Sequence, residues 1–169
     1  MLLILAAAVA VAGIAASPAQ PSTSAALAPT VLDLRVVRQD GTTDLLRKLV
    51  GNAPSIVAFW ASYCAPCQAE VPALNRAVGR WHGRGLHVVG VALETDEKRV
   101  GDTRKEWGIR YDVVRLAPGQ DDLLDRLFPR GLPVTAFVAR GELTLHEHVI
   151  DDAELDWRAP ELLRRDDGG

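Results

Sequence analysis

The chain has 169 residues, 48% hydrophobic and 24% charged, with 19 Lys and Arg against 22 Asp and Glu, the make-up of one ordinary globular domain. A net charge of -3 removes the electrostatic case for a nucleic-acid or anionic-membrane partner. The two cysteines, Cys64 and Cys67, are too few for a disulfide framework, so their chemistry is local.

Residues 1–32 contain no Asp, Glu, Lys, Arg or His, and the first charge is Asp33. Residues 2–16 are apolar and are followed by Ser17-Pro18-Ala19-Gln20 and a Pro, Ser, Thr and Ala segment to Thr30, the order of an export signal, its cleavage zone and a linker. A positive n-region is missing apart from the α-amino group. The apolar run falls short of the roughly 20 residues that span a bilayer, which ranks a cleaved signal above an uncleaved anchor. No cysteine follows it that could carry a lipid. The organisation expected is a signal peptide or N-terminal anchor at 1–19, a linker at 20–30 and one domain at 31–165, exported to the periplasm or the outer face of the cytoplasmic membrane.

Along that domain, 31–38 alternates as a peripheral strand with Leu32, Leu34 and Val36 on its buried face. Gly41 marks a turn, and 44–50 carries Leu45, Leu46, Leu49 and Val50 at helical spacing before Gly51-Asn52-Ala53-Pro54 breaks it. The run 55–60 is apolar on both faces and reads as a central strand covered on two sides. After Cys64, the positions Cys67, Val71, Leu74, Val78 and Trp81 fall on one helical face. Then come a buried strand at 86–93, a helix at 97–107, a short strand at 113–116 and an amphipathic helix at 123–128 stopped by Pro129. Strands at 134–139 and 143–150 join through Arg140-Gly141 as a hairpin, and Pro160 suits the first turn of a terminal helix. The class is α/β, with a mixed sheet flanked by helices.

A Cys-x-x-Cys that follows a buried strand and opens a helix points to dithiol-disulfide chemistry. Cys64 is expected at the helix N-cap and exposed, where free N–H groups and the helix dipole favour its thiolate. Cys67 lies on the buried face, as a shielded resolving thiol. Pro66 helps to start the helix.

The stretch Phe59-Trp60-Ala61-Ser62-Tyr63-Cys64-Ala65-Pro66-Cys67, with Gly131-Leu132-Pro133-Val134-Thr135 downstream, resembles the thioredoxin family. Cys67-Gln68-Ala69-Glu70-Val71-Pro72 and the ending Asp156-Trp157-Arg158-Ala159-Pro160-Glu161 resemble its exported TlpA-like and ResA-like branch. The resemblance implies a thioredoxin-like fold over 31–165 with a central insertion in 94–128, and a thiol-disulfide oxidoreductase that reduces envelope proteins. It makes Cys64 the attacking and Cys67 the resolving thiol, and Pro133 a cis-proline that brings the Leu132 backbone beside the disulfide to pair with an extended substrate segment. Glu70 would tune thiol ionisation or move a proton, the more so because Ala58 stands where cytoplasmic thioredoxins have a buried aspartate. Tyr63 replaces the commoner Trp and keeps an aromatic rim; Trp60 is read chiefly as packing that could border the substrate. The resemblance also implies a membrane thiol-electron donor and clients in cytochrome c or copper-oxidase assembly. No metal or organic cofactor is expected beyond the Cys64–Cys67 disulfide, and the chain is taken as a monomer.

Several readings compete. A disulfide-forming oxidase would share every residue named. A copper-delivery protein would use the cysteines with His146 or His148, although those histidines, together with Thr144 on one face of the last strand, read more simply as a solvated strand face. His82 and His87 flank a Gly-Arg-Gly turn as surface residues. A first-turn acid that serves only the helix dipole is the bland account of Glu70.

Overall fold

In the computed structural model, which describes residues 31–167, the chain runs β1 (Arg35–Val37), β2 (Thr43–Leu45), α1 (Leu46–Val50), β3 (Ser55–Trp60), α2 (Ala65–Trp81), a 3-10 turn (His82–Arg84), β4 (His87–Ala92), α3 (Glu97–Glu106), β5 (Asp112–Leu116), α4 (Asp121–Leu127), β6 (Val134–Ala139), β7 (Glu142–His146) and α5 (Asp152–Asp167). The signal or anchor at 1–19 and the linker at 20–30 lie outside the described residues. Among those described, no helix is long and apolar enough to cross a membrane.

The described strands form one seven-stranded sheet in the order β2-β1-β5-β4-β3-β6-β7. β3, β4 and β5 are parallel; β6 runs antiparallel to β3, and β7 and the β1–β2 hairpin complete the sheet with antiparallel pairs. Period-two alternation divides the core in two. Ile56, Ala58 and Trp60 of β3, Val88 of β4, Val113 of β5 and Phe137 of β6 face one layer, with α2 and α5 over them. Val57 and Phe59, Val89 and Val91, Val114 and Leu116, and Val134, Ala136 and Val138 face the other, closed by Leu46 and Val50 of α1 and Leu127 of α4. Covering on both faces is why 55–60 reads as a continuous apolar run.

Three expectations need correcting. The strand at 31–38 shrinks to Arg35–Val37 and is not peripheral, since β1 lies between β5 and a strand not foreseen, β2. Val36 and Val37 are therefore both buried, and the Leu34 carbonyl accepts from Leu46 N at 2.8 Å, where α1 begins. The terminal helix starts at Asp152 instead of Pro160, with Asp151 Oδ1 accepting from Glu154 N at 2.9 Å in the manner of a cap. Leu155, Ala159 and Leu162 pack on the first layer and hold the helix through its internal proline. β7 stops at His146, so 147–150 belongs to the loop that leads into α5. The segment 94–128, long enough for the insertion that the resemblance implies, holds α3, β5 and α4, the helix, strand and helix expected there.

Candidate active site

The parallel strands β3 and β4 end side by side, Trp60 opposite Ala92, and the loop from β3 delivers Cys64 to the N-terminus of α2. Cys64 occupies the N-cap, and its Sγ accepts from Cys67 N at 3.2 Å. The two sulfurs form a disulfide with an S–S distance of 2.04 Å and a Cα–Cα distance of 5.3 Å. Pro66 sits in the first turn, where its missing N–H costs nothing. The position of Cys64 matches the expectation, but its exposure does not. At 6% accessible it is buried, because the disulfide turns its sulfur toward Cys67 and the Cys67 amide. Cys67 is shielded, as anticipated.

Leu132–Pro133 is a cis peptide. Val134 pairs with Phe59, so Pro133 arrives at the end of β3 from which the Cys64 loop departs, and half-buried Leu132 packs against both core layers. Tyr63 is 80% exposed beside Cys64 and provides an aromatic rim. Trp60 is in the core at 2% exposure, in line with its chief reading as packing, and so does not border the substrate, the second role expected of it. Its ring lies 5.4 Å from that of Trp107, and a Cβ on Gly90 would come within 2.8 Å of its Nε1, so the glycine makes room for the indole. Trp60 Nε1 and Thr135 Oγ1 are buried without a hydrogen-bond partner among the described residues. They flank Ala58, Trp60 two residues along β3 and Thr135 opposite it on β6.

Glu70, one turn beyond Cys67, is not a surface acid serving the helix dipole. It is 1% exposed and accepts from the Ile150 amide through Oε1 at 2.8 Å. Burial pushes its carboxyl up to about 7, against the Ile150 hydrogen bond and the nearby His148, while the Glu154 charge adds to the rise. A carboxyl poised near neutrality one helical turn from a thiol can take and return its proton. Buried Tyr111 responds in turn: burial and the Glu70 charge raise its phenol, which stays neutral.

Two contributors were not anticipated. Glu94, just after β4, accepts from Ser62 N at 2.9 Å and from Ser62 Oγ at 2.6 Å, and so anchors the loop that carries Cys64. Its signal was topological: an acid at the carboxyl end of a parallel strand beside the motif strand reaches the same sheet edge. The second is the loop between β7 and α5, whose Ile150 amide meets Glu70.

The histidines also differ from expectation. His146 faces α5 and is half-buried, edge-on to Phe137 at 5.2 Å, because the early start of α5 covers the strand face read as solvated. Burial lowers its pKa, aided by the Arg158 charge and opposed by Glu154. Among the described residues, the one group of three side chains close enough to share an ion is His146, His148 and Glu154, and the cysteines are not in it. Arg158 Nε donates to Glu154 Oε1 at 2.7 Å and its Nη2 lies 3.2 Å from His146 Nδ1, so a guanidinium supplies positive charge there. His82 and His87 are exposed.

A model of the AhpC/TSA family matches residues 27–115. The thiol-disulfide oxidoreductase ResA of Oceanobacillus iheyensis is 28% identical over 99 residues, which cover 59% of this chain and 50% of that protein. ResA of Halalkalibacterium halodurans is 26% identical over 99 residues, covering 59% and 54%. The chain spans about half the length of these curated relatives. The thioredoxin domain of a thiol-disulfide oxidoreductase from Bacteroides vulgatus is similar in structure with a TM-score of 0.66 over 77% of this chain and 92% of its own, at 18% identity. A secreted Mycobacterium tuberculosis disulfide oxidoreductase gives 0.62 over 78% and 97%, also at 18%. These likenesses show that the fold is thioredoxin-like.

Proposed function

The chain belongs to the AhpC/TSA family, and from that premise we propose that it is a thiol-disulfide oxidoreductase of the ResA kind, reducing disulfides of other proteins outside the cytoplasm. The observation that carries this reading is the redox pair itself, Cys64 and Cys67 joined at a helix N-terminus with the cis Leu132–Pro133 bond at the same end of the sheet.

In the reduced enzyme the Cys64 thiolate, favoured by the N–H groups of α2, attacks a client disulfide. A bond forms between Cys64 and one client sulfur; the other leaves as a thiolate and takes a proton from water. Cys67 then gives its proton to the Glu70 carboxylate and attacks the Cys64 sulfur. The mixed disulfide breaks, the second client sulfur leaves and is protonated, and Cys64–Cys67 is oxidised. Two electrons pass from the enzyme to the client, whose two thiolates take their protons from water, while the Cys67 proton is left on Glu70. The Leu132 backbone offers a strand edge for the client segment, with Tyr63 at the rim.

The scheme uses no metal or organic cofactor. The oxidised enzyme needs an electron donor, and a membrane thiol donor fits an exported chain. Its kinship with ResA-type proteins favours clients in cytochrome c or copper-oxidase assembly.

The deciding experiment equilibrates the protein with thiol/disulfide buffers and counts free Cys64 and Cys67 by alkylation. A reduction potential at or below about -230 mV supports a reductant. A value near about -120 mV would make it an oxidase that introduces disulfides, and would overturn the direction proposed.

A further inference from the structure

The Ile150 amide that holds Glu70 belongs to a loop with a second attachment. His148, two residues earlier, places Nε2 3.0 Å from Glu154 Oε2 on the first turns of α5. Glu154 is held on its other oxygen by Arg158 at 2.7 Å, and His146 Nδ1 lies 3.2 Å from that same oxygen. Arg158 is itself stacked over Phe137 at 4.7 Å and Trp157 at 4.2 Å. The Glu154 carboxylate is thus a fixed charge: burial works to raise it, but the hydrogen bonds from Arg158 and His148 outweigh burial and keep it below the usual carboxylate range.

We propose that His148, on the loop whose Ile150 amide holds the buried Glu70, and Glu154, on the first turns of α5, are positioning residues for Cys67, their opposed charges setting when Glu70 can accept and return the Cys67 proton. This rests on the thiol-disulfide exchange proposed above. Glu154, an anion, makes a charge on Glu70 harder to form; His148, when protonated, makes it easier. The remaining groups that face Glu70 do not duplicate this. Tyr111, from the strand side, is neutral, and Arg158 and His146 act on Glu154. The proton balance is simple. Glu70 gains one proton from Cys67 as that thiol becomes the attacking thiolate, and returns it to solvent before the next cycle. His148 is exposed and Glu154 largely buried, so the pair links the core acid to the surface.

The test follows the Glu70 carboxyl in the full chain by infrared or carbon NMR titration, and in parallel the pH profile for reduction of a cysteine–glutathione peptide disulfide. Glu154→Gln should move the Glu70 inflection to lower pH and His148→Gln to higher pH, each on the order of half a unit or more. The rate profile should move with it, and Glu70→Gln should abolish that inflection. Unmoved titrations in both variants would overturn the proposal. So would titrations that move while the rate profile stays in place, since Glu70 would then be uncoupled from Cys67. If Glu154→Gln weakens the fold by releasing Arg158, His148→Gln carries the test, because that side chain is at the surface. A wild-type chain without exchange activity would sink the function proposed above and this role with it, whereas exchange with an unmoved Glu70 would sink this role alone.

Discussion

At Glu70 the residue scale and the stability of the whole protein meet. Its carboxyl ordinarily titrates near 4.5 and is raised to about 7 in the folded state, chiefly by burial. The folded protein therefore binds that proton more tightly than the unfolded chain. The stabilisation is present in full below pH 4.5 and is lost as pH rises through 7, by about 3 kcal/mol at about 1.4 kcal/mol per unit. Glu70→Gln keeps an acceptor for the Ile150 amide and has no proton to lose. Its unfolding free energy, measured in urea from pH 4 to 8, should lack this slope; a slope equal to that of the wild type would mean that Glu70 titrates as an ordinary exposed acid.

At the scale of elements, α5 explains why Glu70, His146 and the first core layer are sheltered. Leu155, Ala159 and Leu162 are buried against the layer that contains Cys67, and ion pairs Arg76–Asp152 and Arg80–Asp156 join the helix to α2 at the surface. Exposed pairs of that kind add little. The apolar contacts are what secure the helix, so Leu155→Ala should destabilise the protein by about 2–5 kcal/mol in chemical denaturation, the range for a leucine emptied from a core. A loss well under about 1 kcal/mol would show that α5 is held by its ends and not by its face.

For the whole molecule, one sheet forms the wall of both core layers, and each central strand contributes side chains to each. Neither layer can lose its order while the other keeps its wall. Unfolding should accordingly be a single transition. Trp60, Trp81 and Trp107 all report on the first layer, whereas far-UV circular dichroism reports on the whole sheet and all helices. The two midpoints should coincide, and Leu155→Ala should shift both equally; separated midpoints would mean that the layers unfold independently.

The local chemistry could be read without coordinates because it depends on neighbours in sequence. The helical spacing from Cys67 to Trp81, the doubly apolar run at 55–60, the Arg140-Gly141 turn and the Cys-x-x-Cys at a helix start are period and spacing effects, and each lies where the pattern places it. What depended on distant segments was hidden. Pro160 resembled a helix start because proline suits a first turn, yet packing on the sheet carries α5 through it from Asp152. That same packing covers His146. The inner position of β1 follows from pairing with β5, some 80 residues later in the chain, about which alternation at 31–38 says nothing; β2 was hidden for a local reason, since its three residues run straight into α1 and share that helix's leucine pattern. The Cys64–Cys67 pair and the acid at Glu70 were determined by sequence alone. That Cys64 is buried, that Glu70 is a core acid raised by its surroundings, and that Ile150, His148, Glu154 and Glu94 attend the site was decided only by tertiary structure, because burial and charge are sums over side chains brought together from the entire chain.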